Sequence, residues 1–361
     1  MEQRMKTFGP GRTNTLLICF LLAAGAPRVA GASLPRIRIL ATGGTIAGAQ
    51  SQVAGARFKS GVLSAEDLIA SVPQLREIAT VTTEQICNIG SQTMNNQIWL
   101  KLAKRLAEVL KDANIDGVVI THGTDTMEET AYFLDLVVKS DKPIVMVGAM
   151  RPASSMSADG PMNIYNAVAL AANPEARSRG VLVVLSNEIH YAREVEKTNT
   201  TRMDAFESPN RGRAGVINDG EALLFARPDL KHGLRSEFSV NSLAELPSVE
   251  IVYSYANFGR DMIDFLAQKK VKGIILAGVG DGHTTEEAMA GLRDAVAQGV
   301  VVVRSTRVHS GVTRRNIEVN DDEMGSIASE ELTPQKARIL LMLGLTKTSS
   351  VKALQRYFFE Y

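Results

Sequence analysis

Short apolar runs that stop at glycine alternate along this chain with longer stretches whose apolar positions recur every three or four residues. Arg36-Ile37-Arg38-Ile39-Leu40-Ala41-Thr42 alternates polar and apolar residues and then meets Gly43-Gly44, the pattern of a strand entering a tight turn. The runs 117–121, 143–147 and 180–185 are continuously apolar and of strand length, as expected for strands buried on both faces. The stretch 96–111 instead places Ile98, Leu102, Leu106, Val109 and Leu110 on one helical face with lysines and arginines opposite. Strands alternating with helices predict βαβ units and a mostly parallel sheet.

This rhythm lapses over residues 226–247, which read as a linker. It resumes with strands at 249–253, 272–277 and 300–303 and a helix over 286–298. Thr333 reads as an N-cap with Pro334 at the first position of a helix reaching about Leu343. The expected fold is α/β: a larger N-terminal open, mostly parallel sheet flanked by helices over 33–225, then the linker and a smaller C-terminal α/β domain over 248–361. No internal repeat is visible.

Residues 1–32 follow a different logic. Arg4, Lys6 and Arg12 precede the apolar run Thr15–Ala24, and Ala30-Gly31-Ala32 is a small-x-small site. This order predicts a secretory signal peptide cleaved near Ala32 and a periplasmic or secreted protein with no membrane anchor. Of 40 basic and 39 acidic residues, 36 and 38 remain after cleavage. That near-neutral balance offers no footprint for nucleic acid and favours a small-molecule partner. Cys87 is then the sole cysteine, so no internal disulfide forms; it reads as a small buried hydrophobe.

In open parallel sheets, ligands bind beyond the carboxyl ends of the strands. Three such ends carry hydroxyls. In Thr42-Gly43-Gly44-Thr45, the glycines are expected to leave Thr45 beside exposed amide N–H groups, a setting for a nucleophile and oxyanion hole. Thr124-Asp125 opens a helix after Thr121-His122-Gly123, and Asn88-Ile89-Gly90-Ser91-Gln92 forms a polar turn. Each is equally a cap or a turn, and together they name no reaction. Gly278-Val279-Gly280-Asp281-Gly282-His283 lacks the third glycine of a dinucleotide fingerprint, and five scattered histidines lack metal-ligand spacing.

The long stretches are more specific. Ile39-Leu40-Ala41-Thr42-Gly43-Gly44-Thr45-Ile46-Ala47-Gly48 resembles the first signature of the bacterial L-asparaginases, and Ile120-Thr121-His122-Gly123-Thr124-Asp125-Thr126-Met127-Glu128-Glu129-Thr130 resembles the second. Lys197-Thr198-Asn199-Thr200-Thr201, Val147–Pro152 and Ser157–Pro161 are similar to the same family, over essentially the whole mature chain. With the signal peptide, the resemblance points to the exported type II subgroup.

It implies hydrolysis of L-asparagine to L-aspartate and ammonia, without cofactor or metal. Thr45 would be the nucleophile on a mobile loop, and Thr124, Lys197 and Asp125 a second hydroxyl–amine–carboxylate set. Ser91, Gln92 and Asp125 match residues that hold the α-carboxylate and α-amino group, and the backbone of Ala149 a contact to the side-chain amide. Glu318 matches an acid supplied by a neighbouring subunit, which implies a homo-oligomer, by family a tetramer built as a dimer of dimers.

Three positions depart from the pattern. Phe58 stands where the family places a lid tyrosine, and so carries no hydroxyl to polarise Thr45. His283 stands where relatives carry Asn or Ser beside the substrate, and brings a group that titrates near neutrality. The disulfide cysteine pair of some relatives is missing. L-Glutamine, one methylene longer, remains open as a second substrate. The alternative of another class is a periplasmic amino-acid binding protein weakened in catalysis; Phe58 is its sole support.

Overall fold

The computed structural model describes residues 33–44, 46 and 64–361. Thr45, Phe58 and the signal-peptide reading of residues 1–32 lie outside the described residues.

β1 (Arg36–Gly43), β2 (Thr80–Ile89), β3 (Gly117–Thr121), β4 (Ile144–Val147) and β5 (Val181–Leu185) lie parallel in one sheet. The chain then reverses: β6 (Glu188–Tyr191) runs antiparallel to β5. β7 (Glu196–Lys197) and β8 (Phe206–Glu207) form a separate two-stranded ribbon. β9 (Gly215–Asn218) and β10 (Glu221–Leu224) return to the large sheet, whose order is β10-β9-β6-β5-β4-β3-β1-β2. The parallel stack is the part the periodicity predicts; the antiparallel extension is not, because its strands are short and only partly buried.

Both faces of the stack are covered, and the period-two alternation sorts the side chains. Val118 and Ile120 join Leu102, Leu106 and Leu134 on one face. Val119 and Val145 join Ala167 and Leu170 on the other. The first layer contains the helices Asn96–Lys111 and Met127–Val137, and the second contains the helix Gly160–Ala172. The Asn96–Lys111 helix has the predicted bounds, with Asn95 accepting from the Ile98 N–H at 3.0 Å as its cap.

A second, parallel sheet follows: β11 (Val249–Tyr253), β12 (Gly273–Gly278), β13 (Val301–Thr306) and β14 (Ile327–Ala328). The fold is therefore the α/β class expected. The Pro334–Leu345 helix packs on β12 and on the Met127–Val137 helix, so one apolar core runs from Leu134 and Val183 through Leu340 to Ile275. Thr333 sits at its N-cap, but the hydroxyl is buried without a partner among the described residues. Pro334 at the first position, which has no N–H to satisfy, starts the helix without that cap.

Residues 226–247 have little regular structure beyond the single turn Gly233–Arg235. They are nonetheless anchored: Phe238 is buried, with its ring 5.0 Å from that of Tyr357 and 4.9 Å from that of Tyr361. Cys87 is half-buried rather than buried, and its thiol donates to the Thr42 carbonyl at 3.4 Å. Burial pushes that thiol above its ordinary pKa.

Candidate active site

The carboxyl ends of β1, β2 and β3 converge because glycine permits it. Gly44 has φ +86°, and a Cβ there would lie 2.3 Å from the Gly123 backbone nitrogen. The Gly44 N–H donates to the Ile89 carbonyl at 2.9 Å. That amide is thus engaged in joining β1 to β2 and is not one of the exposed N–H groups expected at this turn. Thr42 is drawn in as well, its hydroxyl donating to the Thr121 carbonyl at 2.8 Å.

Beyond β3 the chain forms a single turn, Thr124–Thr126, before the Met127–Val137 helix. Thr124 is buried and Asp125 exposed. Lys197 arrives from β7, across the reversal in the sheet. Its Nζ donates to Thr124 Oγ1 at 2.9 Å and to Asp125 Oδ1 at 2.6 Å. The structure therefore brings Thr124, Asp125 and Lys197 together in the order hydroxyl, amine, carboxylate. Asp125 and Lys197 border an open cleft of about 310 Å³ whose rim includes Thr198 and Asn199.

Ser91 completes one wall. Its hydroxyl accepts from the Asp125 N–H at 3.1 Å, and its carbonyl accepts from Thr126 Oγ1 at 2.9 Å. Gln92 is exposed on the same turn. Ala149 is fully buried on the loop after β4. The neighbouring Gly148 packs so closely that a Cβ would lie 3.2 Å from Thr124 Cγ2. Asp159 clamps this loop by accepting from the Met150 and Arg151 N–H groups, each at 2.9 Å. His283 and Glu318 do not reach these residues within one chain; they meet each other instead, with Nε2 3.2 Å from Oε2.

Two supports escaped the sequence reading. Glu128 is buried; its Oε2 accepts from the Lys197 N–H at 2.6 Å and its Oε1 from Gln335 Nε2 at 2.6 Å. Glu128 stands in the second signature, where an acid in the first turn of a helix reads as a dipole partner. Gln335 carries no local signal at all. The second support is His122, fully buried, with Nε2 3.0 Å from Thr130 Oγ1 and Nδ1 2.7 Å from the Gly123 carbonyl. Trp99 Nε1 donates to the same threonine hydroxyl at 2.8 Å. Burial holds the His122 imidazole down at about 4, so it is neutral here and braces the turn rather than trading protons.

Residues 36–230 match the family model "Asparaginase, N-terminal", and residues 248–358 match "Glutaminase/Asparaginase C-terminal domain". The chain belongs to the asparaginase family. A "Probable L-asparaginase periplasmic" of Haemophilus influenzae is 48% identical over 97% of this chain and all of that protein. The "L-asparaginase 2" of Escherichia coli is 49% identical over 91% of this chain and 94% of its own length. A "Glutaminase-asparaginase" of Pseudomonas fluorescens is 45% identical over the full length of both. A solved structure titled as a probable cytoplasmic L-asparaginase from Campylobacter jejuni superposes with a TM-score of 0.85 at 46% identity, covering 91% of this chain and all of that one.

Proposed function

We propose that this asparaginase hydrolyses L-asparagine, with one water consumed and L-aspartate and ammonia released. The reading rests on one observation above all: a lysine amine held within hydrogen-bond reach of both Thr124 Oγ1 and Asp125 Oδ1. A threonine hydroxyl is a weak nucleophile until a neighbour takes its proton. For that task Thr124 relays the proton of the attacking hydroxyl to the Lys197 amine. Asp125 then stabilises the ammonium that forms, and the leaving nitrogen departs with a proton returned through the same set.

Thr45 is the nucleophile in this proposal. Its Oγ attacks the side-chain amide carbon, and collapse of the tetrahedral intermediate expels ammonia and leaves an acyl ester. Water attacks that ester and frees L-aspartate. Ser91, Gln92 and Asp125 hold the α-carboxylate and α-amino group, and the Ala149 backbone meets the amide. Glu318 and His283 serve a neighbouring subunit's cleft, which fits their pairing with each other away from Thr124 in their own chain. The proposal therefore includes a tetramer, built as a dimer of dimers, an exported location after removal of residues 1–32, and L-glutamine as a slower substrate.

Steady-state ammonia release from both amides by the mature chain tests this. Thr45→Ala, Thr124→Val and Lys197→Met are each expected to lower kcat by about 10²–10⁴-fold. Phe58→Tyr is expected to raise it. A mature chain that binds L-aspartate yet releases no ammonia overturns the hydrolase reading in favour of a binding protein.

A further inference from the structure

A cavity of about 290 Å³ opens between the start of β5 and the 226–247 segment. None of its lining residues belongs to the cleft around Thr124 and Lys197. Three of them are buried polar groups left incompletely satisfied: Arg179, Asp135 and Tyr132.

Arg179 is 6% exposed, and none of its partners is charged. Its Nε donates to the Glu175 carbonyl at 2.8 Å, and its Nη1 to Tyr191 Oη at 2.9 Å, to the Phe225 carbonyl at 3.0 Å and to the Ala226 carbonyl at 3.5 Å. No hydrogen bond from Nη2, and no carboxylate within ion-pair distance, is found among the described residues. A guanidinium taken out of water without a counter-ion is costly. Two arginines of the same lining differ: Arg193 holds Glu194 and Glu331, and Arg211 holds Glu331 and Asp229, while Arg227, which also has no carboxylate partner among the described residues, is exposed to water.

Asp135 mirrors Arg179 with the opposite charge. It is 8% exposed, and its Oδ1 accepts from the Val181 N–H at 2.7 Å. No cation lies within ion-pair distance of it among the described residues; His232 and Arg235 act on it only from further away. Tyr132 is 1% exposed, and its buried hydroxyl has no hydrogen-bond partner among the described residues. The charged and phenolic groups that influence that hydroxyl, Arg193, Asp135, Glu194 and Tyr361, all line the same cavity. A native fold rarely leaves such an atom idle.

One cavity thus offers an unpaired cation, an unpaired carboxylate and an idle hydroxyl, beside an apolar wall that includes Phe225 and Leu230. A simple anion would meet Asp135, and a simple cation would meet Arg179. A ligand carrying both charges satisfies both. We propose that this cavity is a second binding site, for a small zwitterionic α-amino acid whose carboxylate lies on Arg179 and whose ammonium lies on Asp135, with Tyr132 Oη completing its hydrogen bonds. The volume suits a ligand at the small end of the usual range.

Calorimetric titration of the full chain tests this, with glycine, acetate and methylammonium as probes and Asp125→Ala as background to remove the amino-group contact of the catalytic cleft. Glycine is expected to bind at one site per chain, at least tenfold more tightly than acetate or methylammonium. Arg179→Gln is expected to weaken glycine at least tenfold. Tyr132→Phe, which removes only the idle hydroxyl, is expected to weaken it several-fold with an unchanged or raised Tm, and so decides the matter even if Arg179→Gln does not fold. Equal binding of acetate and glycine, insensitivity to Tyr132→Phe, or no binding at all, as from a cavity that holds only water, would each overturn the proposal.

Discussion

At the scale of single residues, the site depends on atoms that do no chemistry. Glu128 keeps Lys197 in place through the backbone, not the amine. Glu128→Ala leaves the Lys197 N–H and the Gln335 amide without their acceptor. An unsatisfied buried donor costs about 1–3 kcal/mol, so urea unfolding should show a loss of that order, with kcat reduced more than KM is raised. Unchanged stability would mean that water replaces the carboxylate. Gly44 is the other such residue. Gly44→Ala adds a Cβ where the backbone of His122 and Gly123, just beyond β3, already stands and demands positive φ from alanine. A loss of about 2 kcal/mol or more is expected, read as a fall in Tm together with lost activity; a variant of wild-type Tm would contradict the close contact. Both glycines of the turn were legible as punctuation in the sequence. The partner that makes Gly44 obligatory, Gly123, was not, because the contact joins segments far apart in the chain.

At the scale of elements, the strands and helices with strong periodicity have the bounds their patterns predict, as for Asn96–Lys111 and Val249–Tyr253. What the pattern could not give is burial of charge. The Met127–Val137 helix opens with Glu128 and Glu129; Glu128 is buried against Gln335 of the Pro334–Leu345 helix, and Glu129 is half-buried, with the charges of Arg338 and Lys336 of that helix acting on it. Burial first, then the charge of Glu128, pushes the Glu129 carboxyl up to about 7. Between its ordinary value near 4.5 and about 7, the folded state keeps a proton that the unfolded state has released. Stability from this group is therefore full at acid pH and lost as pH rises to about 7. Glu129→Gln should match wild type near pH 5 and exceed it by on the order of 2 kcal/mol near pH 8; denaturation at the two pH values checks it, and a pH-independent difference would refute it. His122 and His190, both held down at about 4 by burial, act in the opposite sense. Their contribution is present above about 6.5 and lost as pH falls towards 4.

At the scale of the whole molecule, the sequence reads as two units joined by a linker; the strands of the large sheet lie between Arg36 and Leu224 and those of the second sheet between Val249 and Ala328. The core does not divide in the same way. Residues 34–361 form one compact unit, and the Pro334–Leu345 helix contributes to the face of the first sheet while lying on the second. Phe238 anchors the intervening segment against the C-terminal tyrosines. Sequence periodicity reports which side of a helix is apolar, not which of two sheets it will cover. A fragment ending at residue 247 would expose the side of the Met127–Val137 helix that the Pro334–Leu345 helix normally covers. We expect that fragment to be insoluble or to lack a cooperative transition, and calorimetry of the intact chain to give a single peak. A soluble fragment with its own sharp transition would show the first unit to be self-sufficient.

The clasp from Gln335 through Glu128 to Lys197 also has a meaning in time. The ribosome makes Thr124 and Asp125 first, Lys197 later, and Gln335 well over a hundred residues after that. A growing chain can pair its first strands long before the residue that holds Glu128 exists. The clasp is therefore closed only after both sheets have been synthesised, so the contact that ties Glu128 to the second unit is among the last this stretch of chain can make.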